Sequence, residues 1–269
     1  MGSEMCIRDR RLGAQIFRLR NQFAQMQIPE AQSTGVAPKN PAPGFLHMQW
    51  SSWGASGLAG VWAEENTRDS IFAAMRRKET FATSGPRLKL RLFAGYNLGA
   101  DLLNDAQLVK KAYARGVSMG ADLKAKGGRA PDMLVWATRD PGSAPLQRLQ
   151  IIKGWIDADG KTHEQVYDVA CAGGATPDPQ TKRCPDNNAQ VDVTDCSYSA
   201  DSGADELKAH WRDPDYAAGE NAFYYARGLE NPTCRWSTWD AMRAGSPLNP
   251  SLPATIQERV WSSPIWLEH

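Results

Sequence analysis

The sequence predicts an α+β fold, a short strand–helix–strand unit followed by a longer β-rich, sandwich-like region. Three observations carry this reading. Residues 60–87, GVWAEENTRDSIFAAMRRKETFATSGPR, read in turn as strand, helix, strand and turn. After Pro86, Leu88, Leu90 and Leu92 alternate with Lys89 and Arg91, the period of a strand with one buried face. Further strand-like runs follow, separated by turn residues, with only one clear helix among them.

The elements follow in order. The first ten residues, MGSEMCIRDR, read as a non-native leader and are set aside together with Cys6. Residues 11–28 place apolar side chains at Leu12, Ile16, Leu19, Phe23 and Met26, the spacing of an amphipathic helix that Pro29 ends. Residues 29–44 are rich in Pro, Gly, Ser and Ala and form a long loop. Trp50, Trp53 and Leu58 then lead into the strand GVWA, and the two aromatics are expected to fill a seam between domains rather than bind a ligand. Asn66 and Thr67 stand at the helix N-cap, and Asp69 suits the positive end of the helix dipole. Ile71, Phe72 and Met75 form the apolar helix face, expected to be buried, and Arg76, Arg77 and Lys78 close the last turn.

Beyond the turn at Ser84-Gly85-Pro86, Asn104 caps an expected helix over 105–115. Leu108, Val109, Ala112 and Tyr113 face inward and Gly116 stops it. Strands are expected over 133–138 and 222–229, and a hairpin over 149–156 and 164–169 around Asp-Ala-Asp-Gly-Lys. The aromatic tail at 261–266 docks back on the body.

Composition narrows the class. The chain has 269 residues, 42% hydrophobic and 23% charged, enough apolar content for a core. A net charge of +1 gives no electrostatic reason to expect nucleic acid or a membrane surface as partner. No apolar run approaches the ~20 residues of a membrane span. Besides Cys6, four cysteines cluster in one loop-rich third of the chain: Cys171, Cys184, Cys196 and Cys234. Their spacings do not fit a zinc ribbon or knuckle. Two disulfides are expected, with Cys171–Cys184 and Cys196–Cys234 leading among three pairings; the alternative is four free thiols. Disulfides would place the protein in the periplasm or outside the cell.

The 60–87 segment, with GVSMGADL (116–123), QIIKGWIDADGK (150–161), WRDPDY (211–216), AFYYARGLENPTCRW (222–236) and IQERVWSSPIW (256–266), resembles the domain of unknown function 3604 family. The resemblance runs over roughly 57–266 and relates the chain to bacterial metallohydrolases of the polymerase-and-histidinol-phosphatase (PHP) type. It implies that residues 11–85 are the C-terminal elements of a PHP-like α/β barrel and that 86–269 form a β-rich domain. Such enzymes hold two or three divalent metal ions (Zn, Mn or Fe) with a His-x-His and an Asp-x-His pair. Neither pair occurs among His47, His163, His210 and His269. The resemblance therefore implies the C-terminal part of a longer hydrolase acting on phosphoesters. Its N-terminal barrel portion is the expected partner, its substrate is a small molecule, and no metal centre is expected in this chain.

Residues at the C-terminal ends of barrel strands line active sites. On that ground Glu64, Glu65 and Arg68 are the candidate catalytic residues, and Asn66 and Arg87 the candidate substrate-binding residues. Arg77 and Lys78 are weaker anion contacts. Each has an ordinary alternative, as helix cap, dipole partner or solvated charge. His210, Asp213 and Asp215 can hold a cation or simply form a turn. Trp155, Trp211, Trp236 and Trp239 can stack a sugar or fill a core. The competing function is a non-catalytic, disulfide-braced β domain that binds a partner or carbohydrate, and a cleft beside Glu64–Arg68 would favour the enzyme.

Overall fold

The computed structural model describes residues 54–157 and 159–269. The expected helix at 11–28, the loop at 29–44, Trp50 and Trp53 lie outside the described residues. The described residues fold as two main, mostly antiparallel sheets with few helices.

The larger sheet runs β1 (Ala59–Val61), β2 (Thr80–Thr83), β13 (Arg259–Ser262), β10 (Ala222–Glu230), β14 (Ile265–Glu268), β5 (Asp122–Lys124). On its other edge β10 pairs with β7 (Leu146–Ile156), which pairs with β8 (Thr162–Cys171). Only β14 and β5 run parallel. The smaller sheet is β4 (Gly116–Ser118), β3 (Lys89–Gly95), β6 (Asp132–Thr138), β9 (Glu206–Arg212). Short strands β11 (Thr233–Cys234) and β12 (Thr255–Ile256) form a separate pair.

One core lies between the sheets. Leu90, Leu92, Met133 and Val135 come from the smaller sheet and meet Leu149, Ile151, Tyr224 and Val260 from the larger. Period-two alternation explains the choice of side chains, since every second residue of a strand faces the same way. Strand β6 is buried on both faces and reads as a continuous apolar run. Its Leu134, with Phe93 of β3, turns outward to a second cluster built on Leu98, Leu102 and Ala112. That cluster seats a 3₁₀ turn (Ala100–Asn104) and helix α2 (Leu108–Arg115).

Central strand β10 is shaped by glycine. Phe223 stands opposite Gly154 of β7, and a Cβ at Gly154 would come within 2.4 Å of the Phe223 ring. The ring lies over the bare backbone, and a side chain at this position would have to displace it.

Strand–helix–strand order over 59–83 is as the sequence predicts, and TFAT is β2 to the residue. The unit is continuous with the large sheet: β2 pairs with β13, and Trp62 Nε1 donates to the Leu90 carbonyl at 2.8 Å. Arg91 lies over the same indole, 3.7 Å from its centroid.

Helix α1 (Arg68–Arg76) corrects an expectation. Its cap is Thr67, whose hydroxyl accepts from the Ser70 amide. Its buried side runs through Ala74 and the half-buried Ile71, while Phe72 is 62% exposed and Met75 48%. At ~100° per residue Phe72 lies roughly 160° around the helix from Ala74, so apolar spacing alone misplaced the packed face. In α2, Leu108 and Ala112 are inward as expected, but Tyr113 is 42% exposed. Its ring meets Phe93 edge-on and its hydroxyl donates to Glu79 at 2.7 Å. The expected strands at 133–138, 149–156, 164–169 and 222–229 correspond to β6, β7, β8 and β10, β9 was not anticipated, and the aromatic tail enters the large sheet as β13 and β14 rather than docking on its surface. Helix α3 (Trp236–Ala244) ends at Gly245, whose left-handed φ of 61° suits glycine.

Both expected disulfides form, with Cα–Cα distances of 5.6 Å for Cys171–Cys184 and 5.5 Å for Cys196–Cys234. They are consistent with an oxidising, extracellular or periplasmic location. Among the described residues no helix is long and apolar enough to cross a membrane.

The burial pattern has a direct consequence. Phe72→Ala should change stability by less than about 0.5 kcal/mol in urea unfolding, as for other surface substitutions. Leu90→Ala, fully buried between the sheets, should cost about 2–5 kcal/mol. Equal losses would place Phe72 in a packed interface.

Candidate binding site

The residues singled out by the resemblance lie on the surface. Glu64, Glu65, Asn66 and Arg68 are exposed at the start of α1, where the Glu65 amide donates to the Ser70 hydroxyl at 3.1 Å. Arg87 is also exposed, and its backbone amide donates to Asp140 at 2.7 Å, which with the Gly142 amide holds the Asp140 carboxyl below its usual range.

His163, His210 and the WRDPDY segment are committed to structure. His163 stacks on Trp155 and contacts Asp157 at 2.6 Å; His210 contacts Asp132 at 3.2 Å. Lys153, 1% exposed, pairs with Asp213 at 2.8 Å and Glu220 at 2.7 Å and donates to the Asp215 carbonyl at 2.9 Å. Tyr224 donates to Asp213, and Tyr167 with Lys182 holds Asp215. The network ties the 213–220 loop to β7, β8 and β10. Removing one partner of such a buried pair typically costs about 3–5 kcal/mol. Trp211 contacts Tyr167 and Tyr224 inside the same region, so its ring is packing.

A cleft of about 790 Å³ opens elsewhere, against the outer face of the larger sheet. Its floor follows from strand register. Arg148 of β7 and Arg259 of β13 both stand opposite Leu229 of β10, one on either side. One step along, Gln150 and Trp261 flank Arg227 in the same way. Residues directly opposite share a face, so the sheet presents rows of arginine, glutamine and tryptophan away from the core. Arg148, Arg259 and Trp261 line the cleft.

Its walls are the two loop regions that the disulfides brace. One carries Cys184, Asp186 and Ala189; the other runs from Pro232 and Arg235 to Leu252, Pro253 and Gln257. Cys171, at the end of β8, stands opposite Arg148, so the first disulfide ties that wall to the floor. Cys234 precedes Arg235 and ties the second wall to Cys196. Side-chain amides complete the frame. Gln257 donates to Gln147 at 2.8 Å, Gln147 to Asn187 at 2.9 Å, and Asn187 to Asn231 at 2.8 Å.

The electrostatics favour negative charge. Three arginines and one carboxylate residue, Asp186, line the cleft. Burial pulls the Arg227, Arg235 and Arg259 guanidinium groups below their usual pKa, Glu258 opposing this at Arg259. None of Glu64, Glu65, Asn66, Arg68 or Arg87 lines it. Sequence reasoning missed Arg148, Arg227, Arg235 and Arg259. The available signal was their place at alternate, outward strand positions or beside a bridged cysteine.

Below the cleft, Glu230 is fully buried beside Glu258. Burial raises its carboxyl to about 7; the Ser143 hydroxyl, donating at 2.6 Å, opposes this, and Glu258 and Asp140 reinforce it. The folded chain therefore holds a proton that the unfolded chain, at 4.5, releases. That contribution is fully present below 4.5 and is lost as pH rises through about 7. Glu230→Gln should flatten the decline of Tm over that window. An unchanged slope would show that Glu230 ionises like a solvated carboxyl.

Searches of the curated proteins and of the solved structures gave no significant match to this chain. The family model described as protein of unknown function (DUF3604) matches residues 18–269, and the chain belongs to that family.

Proposed function

We propose that this chain is a disulfide-braced β domain that binds a ligand and forms the C-terminal part of a larger, PHP-like metal-dependent hydrolase of the bacterial periplasm or exterior. The observation that carries the binding role is the arginine-lined cleft, walled by the two bridged loop regions. The disulfides support the compartment. The solvated positions of Glu64, Glu65 and Arg68 support binding over catalysis for this chain.

The described residues do not fit a divalent metal centre. Among the described residues no group of three or more His, Cys, Asp and Glu could hold a metal ion. His163 and His210 are occupied by Asp157 and Asp132. In this reading hydrolysis, with phosphoesters as the proposed substrates, belongs to the barrel portion outside this chain. The exposed Phe72 and Met75 offer that portion an apolar surface, with Arg68 on the same helix.

The folded, oxidised chain, assayed with Mn²⁺ and Zn²⁺ against generic phosphoesters, should show no turnover above background. Robust turnover abolished by a chelator would contradict the assignment and place a catalytic centre within this chain.

A further inference from the structure

We infer that the cleft is an oxyanion site: it takes an organic ligand whose phosphate, sulfate or carboxylate group lies between Arg148 and Arg259, with its body against Leu252, Pro253 and Trp261. This rests on the reading of the chain as a binding domain and names the ligand class.

The spacing suits such a group. Arg148 and Arg259 stand on the two strands that flank β10, both opposite Leu229. Neighbouring strands lie about 4.8 Å apart, so the two backbones are roughly 10 Å apart, a span two guanidinium side chains can close on one oxyanion.

The local charges are unbalanced in the right sense. Asp168 is shared by Arg148 and Arg183, each at 3.4 Å, so one carboxylate serves two cations. Arg259 forms no ion pair among the described residues; its Nε donates to the Gln257 carbonyl at 3.2 Å. Its neighbour Glu258 takes the Ser84 hydroxyl and offsets only part of the effect of burial on Arg259, whose pKa stays below its usual value. A half-buried guanidinium in this position gains most from an acceptor that brings its own negative charge. A metal cation would face three arginines, and a neutral sugar would bring no charge to Arg259.

The apolar wall argues for more than a free ion. Leu252, Pro253 and Ile256 line one side of a cleft whose floor includes the Trp261 indole, and about 790 Å³ exceeds what a lone oxyanion fills.

Titration calorimetry on the intact, oxidised chain tests this with inorganic phosphate, sulfate, glucuronate and glucose as probes. At least one oxyanion should bind saturably in the millimolar range, about tenfold or more tighter than glucose, and weaken with added NaCl. The best probe distinguishes phosphate, sulfate and carboxylate ligands. Arg259→Gln should weaken binding about tenfold or more, the scale of one charge-assisted hydrogen bond. Arg76→Gln, exposed on α1, should not change it. If Arg259→Gln fails to fold, Gln257→Glu provides the same test by adding negative charge to the cleft. Absence of saturable oxyanion binding, or binding indifferent to these cleft variants, overturns the proposal. Glucose binding as tightly as the oxyanions also overturns it while leaving the binding-domain reading intact; chelator-sensitive turnover would remove that reading instead.

Discussion

The side chain of Asp168 is wholly buried on β8, and the architecture around the cleft converges on it. Gln150 donates to it at 2.6 Å and the Cys184 backbone amide at 2.7 Å, while Arg148 and Arg183 approach at 3.4 Å. Burying an ionised carboxylate is costly unless hydrogen bonds and opposite charge surround it, and Asp168 has both. One group thereby joins the sheet floor to the first bridged wall. It also allows arginines to crowd onto one face of a sheet. Without it, Arg148 and Arg183 would lose the carboxylate they share.

The disulfides act on the same region. The segment 172–205 contributes few residues to the main core and is built largely of turns. Closing a loop of about a dozen residues with a covalent bridge stabilises by about 3 kcal/mol in the chain-entropy model. That bridge lies between Cys171 beside Arg148 and Cys184 in the wall, so the constraint falls where the cleft needs a fixed shape. The Lys153 network does comparable work at the far end of β7 and β8, where it fixes the 213–220 loop. Both ends of this hairpin are therefore pinned, one covalently and one by buried charge.

Much of the fold was legible because strand periodicity is local. Leu88, Leu90 and Leu92 announced β3, and the turn at 157–161 announced the β7–β8 hairpin. The cysteine pairing was legible from the loop-rich composition around it. Partner choice was less so. That β2 would pair with β13, nearly two hundred residues away, depends on long-range packing that no local pattern encodes. The same limit misplaced the face of α1, because Phe72 and Ala74 differ in hydrophobicity in the opposite sense to their burial. The cleft was illegible for a related reason. Arg148, Arg227 and Arg259 are far apart in sequence, and each alone reads as an outward strand residue. Only the register of three strands gathers them, whereas Glu64, Glu65 and Arg68 attracted the functional reading because they directly follow a strand that the resemblance assigns to a barrel.

The central claim is that anionic ligands engage the arginines of the cleft. Arginine Nε–Hε resonances of ¹⁵N-labelled protein, followed by NMR during titration with inorganic phosphate, sulfate and glucuronate, test it residue by residue. The account predicts saturable shifts at Arg148 and Arg259 with at least one of these ions, while exposed Arg68 and Arg76 on α1 stay fixed. Shifts confined to exposed arginines, or uniform small drifts with no saturation for every ion, would contradict it.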